Sequence, residues 1–499
     1  MDIQIKKGDL NQEACDLLVL GAWADDRALT AAGEGVNQGL RGQLKKIMHE
    51  DQFGAKLGES LMIRPNQAFP AKRILVLGLG EVKQFGLEAI RVAAATALQT
   101  AKKLQAKTVV SQFLGEVDER LTVKDSARAM AEGLRLADYK FDRYKSKKNG
   151  KSPNLFYILS RDGRIVRQAE TGLLVGEIYA RGTNFCRDIV DIPGQHMTPP
   201  EMVERARALA KGHPEIRVRV YDKEQLAKMG AGGVLGIAQG SEHDPFLVHL
   251  IYRPKKKAKK KIVLVGKAVT FDSGGLSLKP ADSMVSMKDD MAGAGAVLGA
   301  FSVLTDLAPA HEVHGIFAAV ENMPSGHAIR PGDVVKIMNG KTIEVLNTDA
   351  EGRVTLADAL SFAAKQKPDM VIDLATLTGA CGVCLGGEMA AIMSNNPVLA
   401  NQLLIAGSQA GDRMWELPLV EKYRKSIESD VADYNNTAAG RLGGIITAGL
   451  LLREFVNNLP WAHIDIGYAG FADKPWNAFQ GKGGTGYGVR TMLEFLRTL

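Results

Sequence analysis

Short runs rich in Val, Ile and Leu alternate with helix-patterned stretches along most of this chain, and that alternation constrains its fold more than any other feature. The pattern predicts strands over 3–5, 17–20, 61–63, 74–77, 109–113 and 155–159. An alanine-rich stretch over 85–104 keeps its apolar residues on one helical face. Residues 164–188 carry Val166, Ala169, Leu173 and Ala180 at helical spacing and predict a connecting helix. The Ile192-Pro193-Gly194 turn and the helix start at Thr198-Pro199-Pro200 mark a domain boundary. Beyond it the alternation resumes, with strands expected over 218–221, 246–252, 262–265, 313–320, 370–374 and 390–393, and helices over 290–307, 355–366 and 445–455. At 499 residues, a length prior of roughly 150 per domain gives two or three domains.

Composition narrows the class further. The chain is 45% hydrophobic and 24% charged, which excludes collagen-like, coiled-coil and disordered classes. No charge-free apolar stretch reaches the roughly 20 residues that a bilayer span needs. Met1-Asp-Ile-Gln-Ile-Lys-Lys7 has no hydrophobic run ahead of its charges, so a cytoplasmic protein is expected. Cys15, Cys186, Cys381 and Cys384 do not make a disulfide framework. Cys381 and Cys384 form a CxxC with no second half for a zinc site, and read as two small buried residues in a glycine-rich loop.

The net charge of +7 is local in origin. Lys255, Lys256, Lys257, Lys259, Lys260 and Lys261 form one patch, and Lys145, Lys147, Lys148 and Lys151 another; without them the remainder is negative. The first patch lies between two strand-like runs and reads as a solvated hairpin loop, with contact to DNA or another polyanion as the alternative. No aromatic residues interleave with its lysines, which weakens the case for stacking on single strands.

Chemistry-bearing residues gather around three segments. The run 262–265 leads into Gly266-Lys267-Ala-Val-Thr-Phe-Asp272-Ser-Gly-Gly275, followed by Lys279; ligands in open α/β sheets collect beyond the carboxyl ends of strands. Asp290 stands at the start of the 290–307 helix, where a carboxylate also simply suits the helix dipole. In the third segment, Asn347-Thr-Asp349-Ala-Glu351-Gly-Arg353, two carboxylates two residues apart share one face if the backbone is extended. Asp349 could equally cap the following helix. Together Asp272, Asp290, Asp349 and Glu351 carry four negative charges, which two divalent ions would neutralise. Such an oxygen-rich set suits Mn²⁺ or Mg²⁺, and Zn²⁺ also accepts carboxylates. Spacing alone does not show that these segments meet.

Several long motifs in order supply that expectation. The stretch 347–353, the stretch Gly266-Lys267 to Lys279, Met287-Lys-Asp-Asp290-Met, Arg330-Pro-Gly-Asp333, Asp373-Leu-Ala-Thr-Leu-Thr-Gly379 and Trp461-Ala-His-Ile-Asp465 resemble the leucyl aminopeptidase (cytosol aminopeptidase) family. The likeness is strong over roughly 180–499 and weak before it. It implies an α/β fold: a smaller N-terminal α/β domain (1–163, for assembly or regulation), a connecting helix (164–191), and a catalytic α/β domain (192–499) around a mixed central sheet.

It further implies two divalent metal ions per subunit, Mn²⁺ or Zn²⁺, held by Lys267, Asp272, Asp290, Asp349 and Glu351, with Lys267 neutral when ligating. A metal-bridging hydroxide would release N-terminal residues, leucine or similar ones by preference, from peptides with a free N-terminus. Lys279 would stabilise the developing oxyanion, and Arg353 would hold a bicarbonate general base beside the Thr376 and Leu377 backbone. Met287 and Gly379 would line the side-chain pocket, and Asn347 belongs to the matched signature beside substrate. A homohexamer is implied as well, with DNA binding as a possible second role.

Some residues depart from the family pattern or fall outside it. Val354 stands where leucine is usual, Ile466-Gly-Tyr-Ala-Gly-Phe471 follows Asp465 where Ile-Ala-Gly is common, and Cys384 is atypical. Gly293-Ala-Gly295 with Gly299 lies inside a helix pattern and not after a strand, against dinucleotide binding. His311, His314 and His463 read as core or surface histidines.

Overall fold

The computed structural model describes every residue except 66–68, 148–150, 439 and 441, so Lys148 of the second basic patch lies outside the described residues. The chain divides into two units, Met1–Ala180 with Pro475–Gly481, and Arg181–Lys474 with Lys482–Leu499.

In the first unit six strands form one sheet in the order Asp2–Lys7, Leu155–Ser160, Thr108–Gln112, Leu17–Ala22, Ile74–Gly78, Ser60–Ile63. All neighbours run parallel except the last pair. Alternate side chains go to opposite faces, as a pleated strand requires. Leu17, Val19, Leu75 and Leu77 pack with the helices Leu87–Lys103 and Val123–Asp138. Leu18, Leu20, Ile74 and Val76 pack with Ala31–Gly39 and Gln43–Glu50. The helices at 31–39, 43–50 and 123–138 were not legible as elements in the sequence; the first is short and carries three glycines, which dilute its periodicity. The long helix expected from residue 164 spans Gly163–Asp191.

The second unit has an eight-stranded mixed sheet in the order Met414–Glu416, Ala390–Ser394, Trp461–Asp465, Met370–Ala375, Lys261–Asp272, Glu312–Asn322, Phe246–Tyr252, Ile216–Tyr221. Its four central strands, from Trp461–Asp465 to Glu312–Asn322, are parallel. Two expectations are corrected here. The strand taken to end at Val265 continues through Lys267 to Asp272. And the lysine-rich loop is no hairpin: Phe246–Tyr252 pairs antiparallel with Glu312–Asn322, which separates it from Lys261–Asp272, so the loop passes over the end of an intervening strand. Its lysines are nonetheless mostly exposed.

Glycine makes the long strand possible. A Cβ on Gly266 would lie 2.5 Å from the Ala294 backbone, and one on Gly293 would lie 2.0 Å from the Leu374 carbonyl oxygen. The helix Ala292–Phe301 therefore rests directly on the sheet, all ten of its residues buried. The glycine run within it serves this close approach. The expected single helix over 290–307 resolves into Ala292–Phe301 and Leu304–Leu307, and Asp290 precedes it, just after the turn Met287–Asp289.

His249, His314 and His463 are core residues with partners, whereas His311 is buried with its Nδ1 unpartnered among the described residues. His249 Nε2 meets His314 Nδ1 at 2.9 Å, His314 reaches Glu312 at 2.8 Å, and His463 Nδ1 reaches Asp373 at 2.6 Å. The CxxC is corrected in part: Cys381 is buried, but Cys384 is exposed, and both lie on the helix Gly379–Leu385. Among the described residues no helix is long and apolar enough to cross a membrane.

Gly293→Ala is expected to force the helix away from the sheet. Overpacking of this kind costs about 1–3 kcal/mol. Thermal unfolding should show a lowered melting temperature, whereas Gly481→Ala, whose Cβ meets nothing within 4 Å, should change it little.

Candidate active site

The four central strands deliver polar residues to one end of the sheet. Asp272 and Asn322 close their strands, Thr376 follows Met370–Ala375, and Asp465 ends Trp461–Asp465. This is the carboxyl edge where α/β sheets bind ligands. Along Lys261–Asp272 the even residue Gly266 faces the helix Ala292–Phe301, while Lys267 turns to the opposite face against Gly352, the first residue of the helix Gly352–Lys365.

Lys267 is the hub. It is 4% exposed, and its Nζ lies 2.7 Å from Asp290 Oδ1, 2.8 Å from Glu351 Oε1 and 3.0 Å from the Thr376 carbonyl oxygen. Lys279 Nζ lies 2.8 Å from Asp272 Oδ2 and 2.5 Å from Asp349 Oδ1. Oxygens of Asp272, Asp290 and Glu351 lie within 4.8 Å of one another, and all three residues are buried. Five of the predicted metal-site residues and Lys279 thus form one cluster. Asp349 sits at its more open side, and Asp349 and Glu351 do not share an extended segment, because Glu351 is already helical at φ −72°.

Electrostatics at the cluster show an excess of buried negative charge. Burial pushes the Asp290 and Asp272 carboxyls up, and mutual repulsion with Glu351 adds to it. Burial alone would lower the Lys267 amine, but Asp290, Glu351 and Asp272 outweigh it and hold the amine above its usual value. Lys279 is likewise raised: burial opposes its charge, and Asp272 overrides it. Four carboxylates thus share two ammonium groups. Asp290 Oδ2 is buried with no hydrogen-bond partner among the described residues. An oxygen-rich set with a free lone pair fits hard divalent cations.

Arg353 stands beside this cluster. Its Nη1 donates to the Asn436 carbonyl at 2.8 Å, and its buried Nε has no hydrogen-bond partner among the described residues. Thr376 Oγ1 donates to Asp290 at 2.9 Å. The Leu377 and Thr378 N–H groups donate to Asp465 Oδ1 at 3.3 and 3.4 Å, which fixes the loop between strand and helix. Asn347 uses its side chain locally, accepting from Asp349 N at 2.9 Å. Among the described residues, neither Met287 nor Gly379 is hydrogen-bonded to the cluster. Met287 opens the turn leading to Asp290, and Gly379 begins the helix after Thr378, with open space where a Cβ would stand. Tyr468, from the departing segment, packs its ring against Gly382 of that helix.

Two asparagines escaped the sequence reading. Asn322 Nδ2 donates to Asp272 Oδ1 at 2.8 Å and to the Thr348 carbonyl at 3.0 Å, joining two carboxylate-bearing loops. Asn436 donates to the Asn347 carbonyl at 2.7 Å and accepts from Leu346 N at 2.9 Å. The only available signal for Asn322 was a polar residue closing an otherwise apolar strand; Asn436 had none, being 83 residues beyond Arg353.

Residues 184–493 match the cytosol aminopeptidase family, catalytic domain, and residues 19–148 match its N-terminal domain. The chain belongs to the cytosol aminopeptidase family. It is 40% identical over 501 residues to a probable cytosol aminopeptidase of Persephonella marina, covering 99% of each chain. It is 41% identical over 465 residues to one of Aquifex aeolicus, covering 92% of each. Among solved structures, a mutant tomato leucine aminopeptidase superposes with a TM-score of 0.90 at 34% identity, over 100% of this chain and 97% of that one. The bottromycin maturation enzyme BotP in complex with Mn gives 0.84 at 34% identity, over 97% and 99%. Like its family, this protein is a metal-dependent aminopeptidase, a hydrolase acting on peptides, with the two-domain α/β fold and mixed catalytic sheet that its sequence implies.

Asn322→Ala removes a bond that orients Asp272. Losing such a support typically costs about 10–100-fold in metal affinity or activity. Metal titration followed by peptide hydrolysis should show that loss with an unchanged melting temperature.

Proposed function

We propose that this enzyme removes N-terminal leucine, or a similar apolar residue, from peptides, using two divalent ions, Mn²⁺ or Zn²⁺, and a bicarbonate base. The observation that carries the reading is the convergence of Asp272, Asp290 and Glu351 within 4.8 Å around the buried Lys267 amine. Lys267, Asp272, Asp290, Asp349 and Glu351 would hold the metals. When bound, the pair supplies Lewis acidity, a seat for the free α-amine and a hydroxide nucleophile near neutral pH.

The chain's own residues perform the rest. Lys279, anchored between Asp272 and Asp349, donates to the oxygen that gains charge as the peptide carbonyl becomes tetrahedral. Arg353, whose buried Nε has no hydrogen-bond partner among the described residues, would hold a bicarbonate beside the Thr376–Leu377 backbone, and that group would supply a general base. Met287 and Gly379 border the pocket for the N-terminal side chain, and Asn347 keeps the signature loop in shape. We place this activity in the cytoplasm and in a homohexamer, with residues 1–163 serving assembly or regulation, 164–191 linking, and 192–499 catalysing.

Leu-p-nitroanilide hydrolysis by chelator-stripped protein tests the core of this. Activity should vanish on stripping and return with Mn²⁺ or Zn²⁺. Lys267→Arg should bind one metal in place of two, because guanidinium does not deprotonate to become a ligand; two metals per chain in that variant would remove Lys267 from the set. Arg353→Ala should keep both metals while turnover falls about 10²–10⁴-fold, the typical contribution of a general base.

A second role in DNA binding draws support from the exposed lysines at 255–261. DNA affinity should then fall steeply with salt, and the slope should drop by about one for each lysine neutralised. Affinity independent of those lysines would dismiss it.

A further inference from the structure

The first unit holds a cavity of about 360 Å³ that the catalytic reading does not use. It opens beyond the carboxyl ends of the parallel strands Asp2–Lys7, Leu155–Ser160, Thr108–Gln112 and Leu17–Ala22. The last two are neighbours from which the chain departs in opposite directions: after Leu17–Ala22 it moves on through the edge strand Ser60–Ile63 to Ile74–Gly78, and after Thr108–Gln112 to Leu155–Ser160. That reversal is the topological switch point at which open parallel sheets bind small molecules.

The lining sorts into three kinds of chemistry. At one side the helix Ala31–Gly39 begins. Thr30 Oγ1 caps it by accepting from Gly33 N, so Ala31 and Ala32, the two cavity-lining residues before Gly33, keep N–H groups with no intrahelical acceptor. Beside them stands Gln112, 2% exposed. Its Oε1 accepts from Gly21 N at 3.1 Å and from Thr30 Oγ1 at 2.8 Å. Gly21 N can only donate, so the amide orientation is fixed and Nε2 must face the other way. That Nε2 has no partner among the described residues. A buried donor without an acceptor is costly unless a ligand supplies one. Across the cavity, the Glu116 carboxylate accepts from Ser160 Oγ at 2.5 Å and meets no cation among the described residues. Trp23, Phe113 and Leu159 supply apolar surface between the two.

We infer that this cavity is a second small-molecule site, which takes a free α-amino acid with an apolar side chain. The carboxylate would bind the helix start and Gln112 Nε2. The ammonium would bind Glu116, and the side chain would lie on Trp23 and Phe113. A dianionic phosphate fits less well, because Asp9 and Glu116 also line the cavity and only Arg161 offsets them, itself paired with Asp9 at 2.9 Å. The assignment rests on this cavity's own chemistry, independently of the metal cluster.

Titration of the metal-loaded full chain with L-leucine tests it, read by calorimetry and by Trp23 fluorescence. Leucine should change an emission component that Trp23→Phe lacks. 3-Methylbutylamine and 4-methylpentanoate, which each retain only one charged group and offer no bond to hydrolyse, should bind at least tenfold more weakly. Gln112→Glu keeps both accepted hydrogen bonds but replaces the free donor, and Glu116→Gln removes the ammonium's partner. Each should weaken leucine at the Trp23-sensed site at least tenfold while leaving kcat/KM for peptide hydrolysis unchanged. The inference is overturned by a flat Trp23 response, by unchanged affinity in Glu116→Gln and Gln112→Glu, or by a mononucleotide binding where leucine does not. Loss of hydrolysis with an intact Trp23 response would count against the catalytic reading alone.

Discussion

Four carboxylates gathered around two lysine amines, in a pocket where three of the acids are almost fully buried, set the terms for everything near them. Charges so close in a poorly solvated place are unstable without partners. Lys267 and Lys279 supply part of the compensation. The rest of the catalytic unit can be understood as a frame that brings these groups together and admits further positive charge. Each amine is shared by two acids, so removing one acid changes the balance of charge for the others, and the cluster is coupled and not a sum of independent pairs.

That frame depends on sheet topology. Four parallel strands end at one edge, and each hands over a polar residue within one position of its end. The supporting bonds come from a different source. Asn322 and Asn436 hold loop backbones distant in sequence, and Asp465 holds the Thr376–Thr378 loop by its N–H groups. Strands set the approximate place of each charge, and amide side chains set the orientation.

Much of this was legible beforehand, for identifiable reasons. Buried parallel strands are nearly continuous apolar runs, so most strands of both sheets stood out along the chain. The carboxylates stood out because each interrupts or follows such a run. What escaped has equally physical causes. The strand Lys261–Asp272 looked shorter than it is because Gly266 and Lys267 resemble a strand end; their tolerance depends on the bare backbone of Ala292–Phe301 and on charges from elsewhere in the chain. The lysine-rich loop looked like a hairpin because sequence neighbours usually pair, and nothing local announces that Glu312–Asn322 inserts between them. Gln112 carries no signal of its own in the sequence, since its lone donor emerges only once Gly21 and Thr30 are seen to occupy its oxygen.

Glycines divide this catalytic unit into two regimes of tolerance. Around the cluster, Gly266, Gly293 and Gly352 have backbone or the Lys267 side chain where a Cβ would go. On the neighbouring helix Gly379 faces open space, as does Gly387 just beyond it, while Gly382 is closed off by the Tyr468 ring. Mutation therefore meets a wall on one side of the site and free room on the other. A side chain added at Gly379 leaves Lys267 where it is and one added at Gly352 does not, so the space beside the cluster can be reshaped where the cluster itself cannot.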